Sequence, residues 1–119
     1  MSRHDDLVRL RHMRDYAREA IAMAANRSQE ELATDRMFQL ALTHLVGIIG
    51  EAASRVSDGT REEIPRIPWA NVIGMRHRLI HGYDRVNLKI LWDTISVDLE
   101  PLVSVLEEEI RRIESGRSV

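Results

Sequence analysis

Apolar residues recur at helical spacing through most of this chain. Between residues 5 and 26, Leu10, Met13, Ala17, Ile21 and Ala24 fall three to four apart, which lays one apolar stripe along a helix. Asp5 and Asp6 stand at its start, where the positive end of the helix dipole favours carboxylates. Ser28 and Glu31 have capping-box spacing and predict a short helix ending near Asp35. Phe38, Leu42, Leu45, Ile49, Ala52 and Val56 then predict a longer helix over 36–57, stopped by Asp58-Gly59. Residues 60–68 read as a connection with one helical turn, pinned by Pro65 and Pro68. From Pro68, which sets φ for helix entry, Trp69, Val72, Ile73, Leu79 and Ile80 are spaced for burial. Gly82 suits the left-handed position after a helix end. The last stripe is Leu88, Leu91, Ile95, Leu99, Leu102, Leu106, Ile110 and Ile113, capped by Asn87. Pro101 should kink it, because proline brings no N–H to the carbonyl of Val97. No segment alternates as a strand would. The expected fold is all-α: one domain over 1–119, an up-and-down bundle of about four main helices plus short helical turns.

Three features off the core stripes carry further information. Thr43, Gly47, Gly50 and Ser54 put small residues on one face of the 36–57 helix. Each mid-helix glycine costs about 1 kcal/mol relative to alanine, so a close approach, inside the fold or between two copies, would explain them. Arg11, Arg14 and Arg18 make a basic stripe that either tracks an RNA backbone or is solvated and paired with Asp15 and Glu19. Glu51 can pair with Arg55 one turn away, or reach Arg76 and orient it. His44, on the Glu51 side of the helix, reads as structural or exposed.

Charge and composition narrow the chemistry. The formal charge is −2, so any contact with nucleic acid must use a local basic patch. Sixteen of the seventeen basic residues are arginine, the better bidentate phosphate ligand. Five aromatics in 119 residues argue against ring platforms for stacking bases. The absence of cysteine excludes disulfides and thiolate catalysis. The N-terminus has no apolar leader core and no run approaches membrane-spanning length, so a cytoplasmic location without a membrane partner is expected. Neither metal-ligand spacing nor a Gly-rich phosphate loop occurs, so no metal and no cofactor are expected.

The stretch from Ile67 to Trp92 reads IPWANVIGMRHRLIHGYDRVNLKILW and holds Arg76, then four residues, then His81-Gly82-Tyr83. As spacing, this fits a helix C-terminus with His81 favoured by the dipole and Gly82 as the cap. Spacing alone favours that reading over the alternative, a phosphate-handling site in which Arg76 and His81 face one cavity from either side of the helix exit. Tyr83 is either a packed tyrosine or a functional hydroxyl. As a string of residues, the stretch resembles the HepT-like toxins of the HEPN superfamily, whose signature is Arg, four to six residues, then His, here with the tyrosine two places on. His77 supplies the polar residue that usually follows the arginine. GIIGEAASRVS, residues 47–57, is similar to the family's second-helix segment.

The resemblance implies a helical ribonuclease toxin working without metal as a homodimer. It also implies an antitoxin of the minimal nucleotidyltransferase type, able to transfer AMP to Tyr83. Catalytic roles fall on Arg76 and His81, with His77 and Glu51 in support. The chemistry is consistent with this. RNA cleavage by its own 2′-hydroxyl needs a base, an acid and positive charge on the phosphate. Histidine titrates near neutrality, and arginine matches two phosphate oxygens. One chain brings one His81, whereas a twofold dimer brings a second to the cleft. The alternative is a catalytically silent HEPN module that partners a nucleotidyltransferase in substrate or nucleotide binding.

Overall fold

A computed structural model of the chain describes residues 3–81 and 85–117. The elements in order are α1 Arg3–Ala24, α2 Gln29–Thr34, α3 Arg36–Ser54, α4 Asp58–Glu63, α5 Trp69–Ile73 and α6 Met75–Leu79. A two-residue ladder of β1 Ile80–His81 and β2 Arg85–Val86 follows, then α7 Leu88–Asp93 and α8 Leu99–Arg117, joined by a π-helical turn over Thr94–Asp98. The architecture is all-α and bundle-like, with α1 packed chiefly against α3 and α8. The shape is elongated, 51 × 29 × 20 Å.

The predicted stripes form one core. Leu10, Met13 and Ala17 are buried with Leu7 and Ala20 from α1; Phe38, Leu42, Leu45, Ile49, Ala52 and Val56 are buried from α3 and its exit. Leu91, Ile95, Leu99, Leu102, Leu106, Ile110 and Ile113 complete it from the last helices. By length and composition α3 could cross a membrane, contrary to the expectation that no run would. Eight of its residues are nonetheless buried, and its apolar face is the one α1 covers.

Caps and ion pairs fix the helix ends. Asp35 caps α3 by accepting from the Phe38 N–H at 3.1 Å. It also takes the Arg27 guanidinium at 2.8 Å, and that bond holds its carboxyl below the usual range. Arg27 engages Glu31 as well, which removes Glu31 from the predicted capping box, and Ser28 makes no side-chain cap. The basic stripe of α1 is paired rather than free: Arg11 with Glu114, Arg14 with Asp15, Arg18 with Glu107. Two of these partners come from α8, which sequence proximity could not indicate.

Other expectations change with the connections between helices. The helix expected over 36–57 stops at Ser54, because Ser57 is used elsewhere. Its N–H and hydroxyl donate to the Asp6 carboxylate at 2.9 and 2.6 Å, and its side chain caps α4 by accepting from the Thr60 N–H. Asp58-Gly59 therefore opens a helix instead of only closing one. Asp6 is 2% exposed and also receives the Thr60 hydroxyl at 2.6 Å. Burial alone would raise its pKa, but these hydrogen bonds outweigh it and hold the carboxyl below its ordinary value.

The helix expected from Pro68 to Gly82 is broken at Gly74 and ends at Leu79. Ile80 is extended, and the chain turns into the antiparallel pairs Ile80 with Val86 and His81 with Arg85. The ladder is closed below by the Asn87 N–H donating to the Leu79 carbonyl at 2.6 Å. Asn87 caps α7 as predicted, its side chain accepting from the Ile90 N–H at 3.0 Å. The irregularity expected near Pro101 takes the form of the π-helical turn just ahead of it.

Candidate active site

Gly47 and Gly50 explain how α3 and the α5–α6 pair build a cleft. A Cβ on Gly50 would lie 3.1 Å from the Val72 carbonyl oxygen and 3.2 Å from that of Ile73. The close approach that the small residues imply is thus inside the fold at this position. A Cβ on Gly47 would lie 3.1 Å from Cδ and 3.5 Å from Nε of Arg76. The Arg76 stem therefore rests across α3 at a point that presents no side chain.

Arg76 and His77, both exposed on α6, line a cleft of about 570 Å³ with Gly47, Gly50, Glu51 and Ile80. A second opening, about 470 Å³, is lined by Leu40, Thr43, His44 and Ile48. The two share Gly47, Glu51 and Arg76, so they form one trench running along α3. Either volume falls in the range of about 300–1,000 Å³ usual for ligand clefts. A more apolar groove of about 390 Å³ lies between α5 and the π-helical turn and contains no motif residue.

Glu51 lines the trench but is turned to the sequence-local partner: Arg55 donates to it at 3.1 Å. No hydrogen bond or ion pair engages Arg76 among the described residues, so its fork is available to a phosphate. The backbone of His81 lies in β1, one residue beyond Ile80 of the trench lining, and not in a last helical turn as expected. Its side chain, and the whole of Gly82, Tyr83 and Asp84, lie outside the described residues, as does the expected AMP acceptor with them. Among the described residues, no group of three or more His, Cys, Asp or Glu could hold a metal ion.

Sequence reasoning missed the role of His44 as a trench residue. The available signal was its position three residues before Gly47, on the face that the glycine clears for Arg76.

Comparison with known proteins places this geometry in a family context. A protein of Methanocaldococcus jannaschii provisionally named an RNase is 28% identical over 114 residues, covering 96% of this chain and 94% of the relative. One from Caldanaerobacter subterraneus, also provisionally named an RNase, is 33% identical over 85 residues, 71% of this chain and 76% of its own. A Thermococcus cleftensis protein provisionally named ribonuclease HepT is 33% identical over 79 residues, 66% and 72% of the two chains. No solved structure gives a significant match. The family described as Ribonuclease HepT-like matches residues 13–110, a span that takes in both walls of the trench and the Arg76 to His81 motif, and the chain belongs to that family.

Proposed function

We propose that this protein is the toxin of a toxin–antitoxin pair, a homodimeric endoribonuclease that cleaves RNA without a metal ion. The observation that carries the reading is Arg76: an exposed guanidinium seated on Gly47 in an open trench, engaged by no other described residue. Family membership supports it. In the reaction, the ribose 2′-oxygen attacks the adjacent phosphorus and the bond to the 5′-oxygen breaks. A base takes the 2′-hydroxyl proton and an acid protonates the leaving 5′-oxygen, giving a 2′,3′-cyclic phosphate and a 5′-hydroxyl end. Arg76 holds the phosphate oxygens as charge builds on them, and His81 transfers protons. Two transfers and one His81 per chain motivate the homodimer, with the two trenches facing one another. Met37, 81% exposed on the first turn of α3, supplies apolar surface near the trench for that contact.

In this reading a nucleotidyltransferase antitoxin binds the toxin, modifies it with AMP at Tyr83, or both. A phosphodiester there competes with RNA for Arg76, and the adenosine fills the trench. Purified protein incubated with RNA and chelator tests the central claim. Cleavage with cyclic phosphate ends is expected, and its loss in His81→Ala with an unchanged helical spectrum. Abolition by chelator, or 3′-hydroxyl ends, overturns it. The second reading, a silent module partnering a nucleotidyltransferase, is favoured by one observation. Arg11, Arg14 and Arg18 of α1 are each paired with a carboxylate, so that stripe offers no free basic track for RNA.

A further inference from the structure

We infer that His44 is a substrate-contacting residue: the trench continues past Arg76 into a subsite where the His44 imidazole receives the base next to the cleaved phosphodiester of single-stranded RNA. The inference rests on the ribonuclease reading and adds to it a nucleotide subsite and the strandedness of the substrate.

His44 is exposed on α3 and lines the same trench as Arg76. It stands three residues before Gly47, about 4.5 Å along the helix axis, so it adjoins the place where the Arg76 stem crosses. Gly47 raises no side chain of its own, so the Arg76 stem lies flat over it and the imidazole stands beside that stem on the same wall. Leu40 and Ile48 stand one turn to either side of His44 and line the same wall. Leu40 is 51% exposed, an apolar surface that the monomer leaves uncovered.

The other polar groups along this section are already engaged. The Thr43 hydroxyl donates to the Gln39 carbonyl at 2.7 Å, and Glu51 is held by Arg55. His44 has no such partner among the described residues. A flat, unengaged ring between two aliphatic side chains can stack a base and hydrogen-bond its edge. Only an unpaired base can enter, because the bases of a duplex are stacked inside it. Neither tryptophan lines this section, and the indole of Trp69 is committed: its Nε1 donates to the Arg61 and Ile64 carbonyls at 3.1 and 3.0 Å. In a chain with few aromatic rings, histidine takes the stacking role.

The test uses the full chain and a six-nucleotide single-stranded RNA, both cleavable and uniformly 2′-O-methylated, against a duplex of the same sequence. His44→Ala should weaken binding of the methylated strand about tenfold, the scale of one lost stack, and raise KM more than it lowers kcat. His44→Phe, which keeps a ring, should recover most of the loss, whereas a purely structural role gives no ring-dependent rescue. Circular dichroism and sedimentation must match the parent for all variants. Equal affinity of His44→Ala and parent for the single strand overturns the inference. So does an equal loss on duplex, or failure of His44→Phe to rescue. If the parent cleaves RNA and His44→Ala shares its KM, only the subsite falls. If the parent neither cleaves nor binds RNA, the ribonuclease reading falls with it.

Discussion

Substituting alanine for each of the two α3 glycines separates a packing role from a functional one. In a helix interior, Gly→Ala gains about 1 kcal/mol of intrinsic stability at either position. At Gly50 the new Cβ meets two backbone carbonyl oxygens, at 3.1 and 3.2 Å, and backbone cannot rotate away. Overpacking of this kind costs about 1–3 kcal/mol, so Gly50→Ala should be neutral to about 2 kcal/mol destabilising. At Gly47 the neighbour is Cδ of Arg76, at 3.1 Å, on a long flexible side chain in an open trench. It can yield by a few tenths of an ångström, so Gly47→Ala should keep most of the 1 kcal/mol gain. The guanidinium moves with its stem, however. With about a hundredfold lost for a 1 Å misplacement, cleavage by Gly47→Ala should fall severalfold in a protein that is more stable. Urea unfolding followed by circular dichroism gives the stabilities, and a fluorogenic RNA gives the rates. A stabilised Gly47→Ala with full activity would refute the argument that Arg76 is seated on Gly47 for catalysis. A Gly50→Ala stabilised by the full 1 kcal/mol would refute the close approach.

Asp6→Asn should lower stability at neutral pH, because it exchanges a carboxylate accepting from Ser57 and Thr60 for an amide. The Asp6 pKa is depressed on folding, so its contribution is complete above the unfolded value of about 3.9 and fades as pH falls through the folded one. Urea midpoints should therefore drop more steeply below about pH 4 in the parent than in Asp6→Asn, and parallel curves would count against it. Arg76→Lys should lose most RNA cleavage while unfolding as the parent does, because a point charge does not reproduce a bidentate contact. On the proposed toxin reading, co-expression with a cognate nucleotidyltransferase antitoxin should add one AMP to Tyr83, read by intact mass and peptide mapping. An unmodified Tyr83 beside an active antitoxin removes that route and leaves tight binding as the means of neutralisation.

The helices were legible where one stripe meets one core. Leu42, Leu45 and Ile49 are buried because apolar spacing alone demands it, and the Asn87 cap is a local hydrogen bond. What escaped was set by groups distant in sequence. The end of α3 depends on Asp6 taking the Ser57 N–H across fifty-one residues. The extended Ile80 continues a helical apolar pattern, and only pairing with Val86 draws it into a ladder. Arg76 and Gly47 were both noted in the sequence, yet their contact joins two helices and no spacing rule reports it. His44 reads as structural or exposed for the same reason: the opening it lines on α3 is completed by Arg76 from α6.

The π-helical turn has a consequence for the length of the chain. Leu91 and Leu99 are both fully buried, yet in a regular helix residues eight apart stand about 80° apart around the axis. One residue absorbed by a wider turn takes back about 100°, bringing the two to within about 20° of one line. A chain one residue shorter there, with the exposed Ser96 deleted, would reach the same alignment by a plain α-helix. The bundle thus has a place where the polypeptide can lengthen or shorten by one residue while both halves of its last helix keep their faces to the core. Insertions and deletions among related chains should gather at this turn more readily than anywhere along α1 or α3.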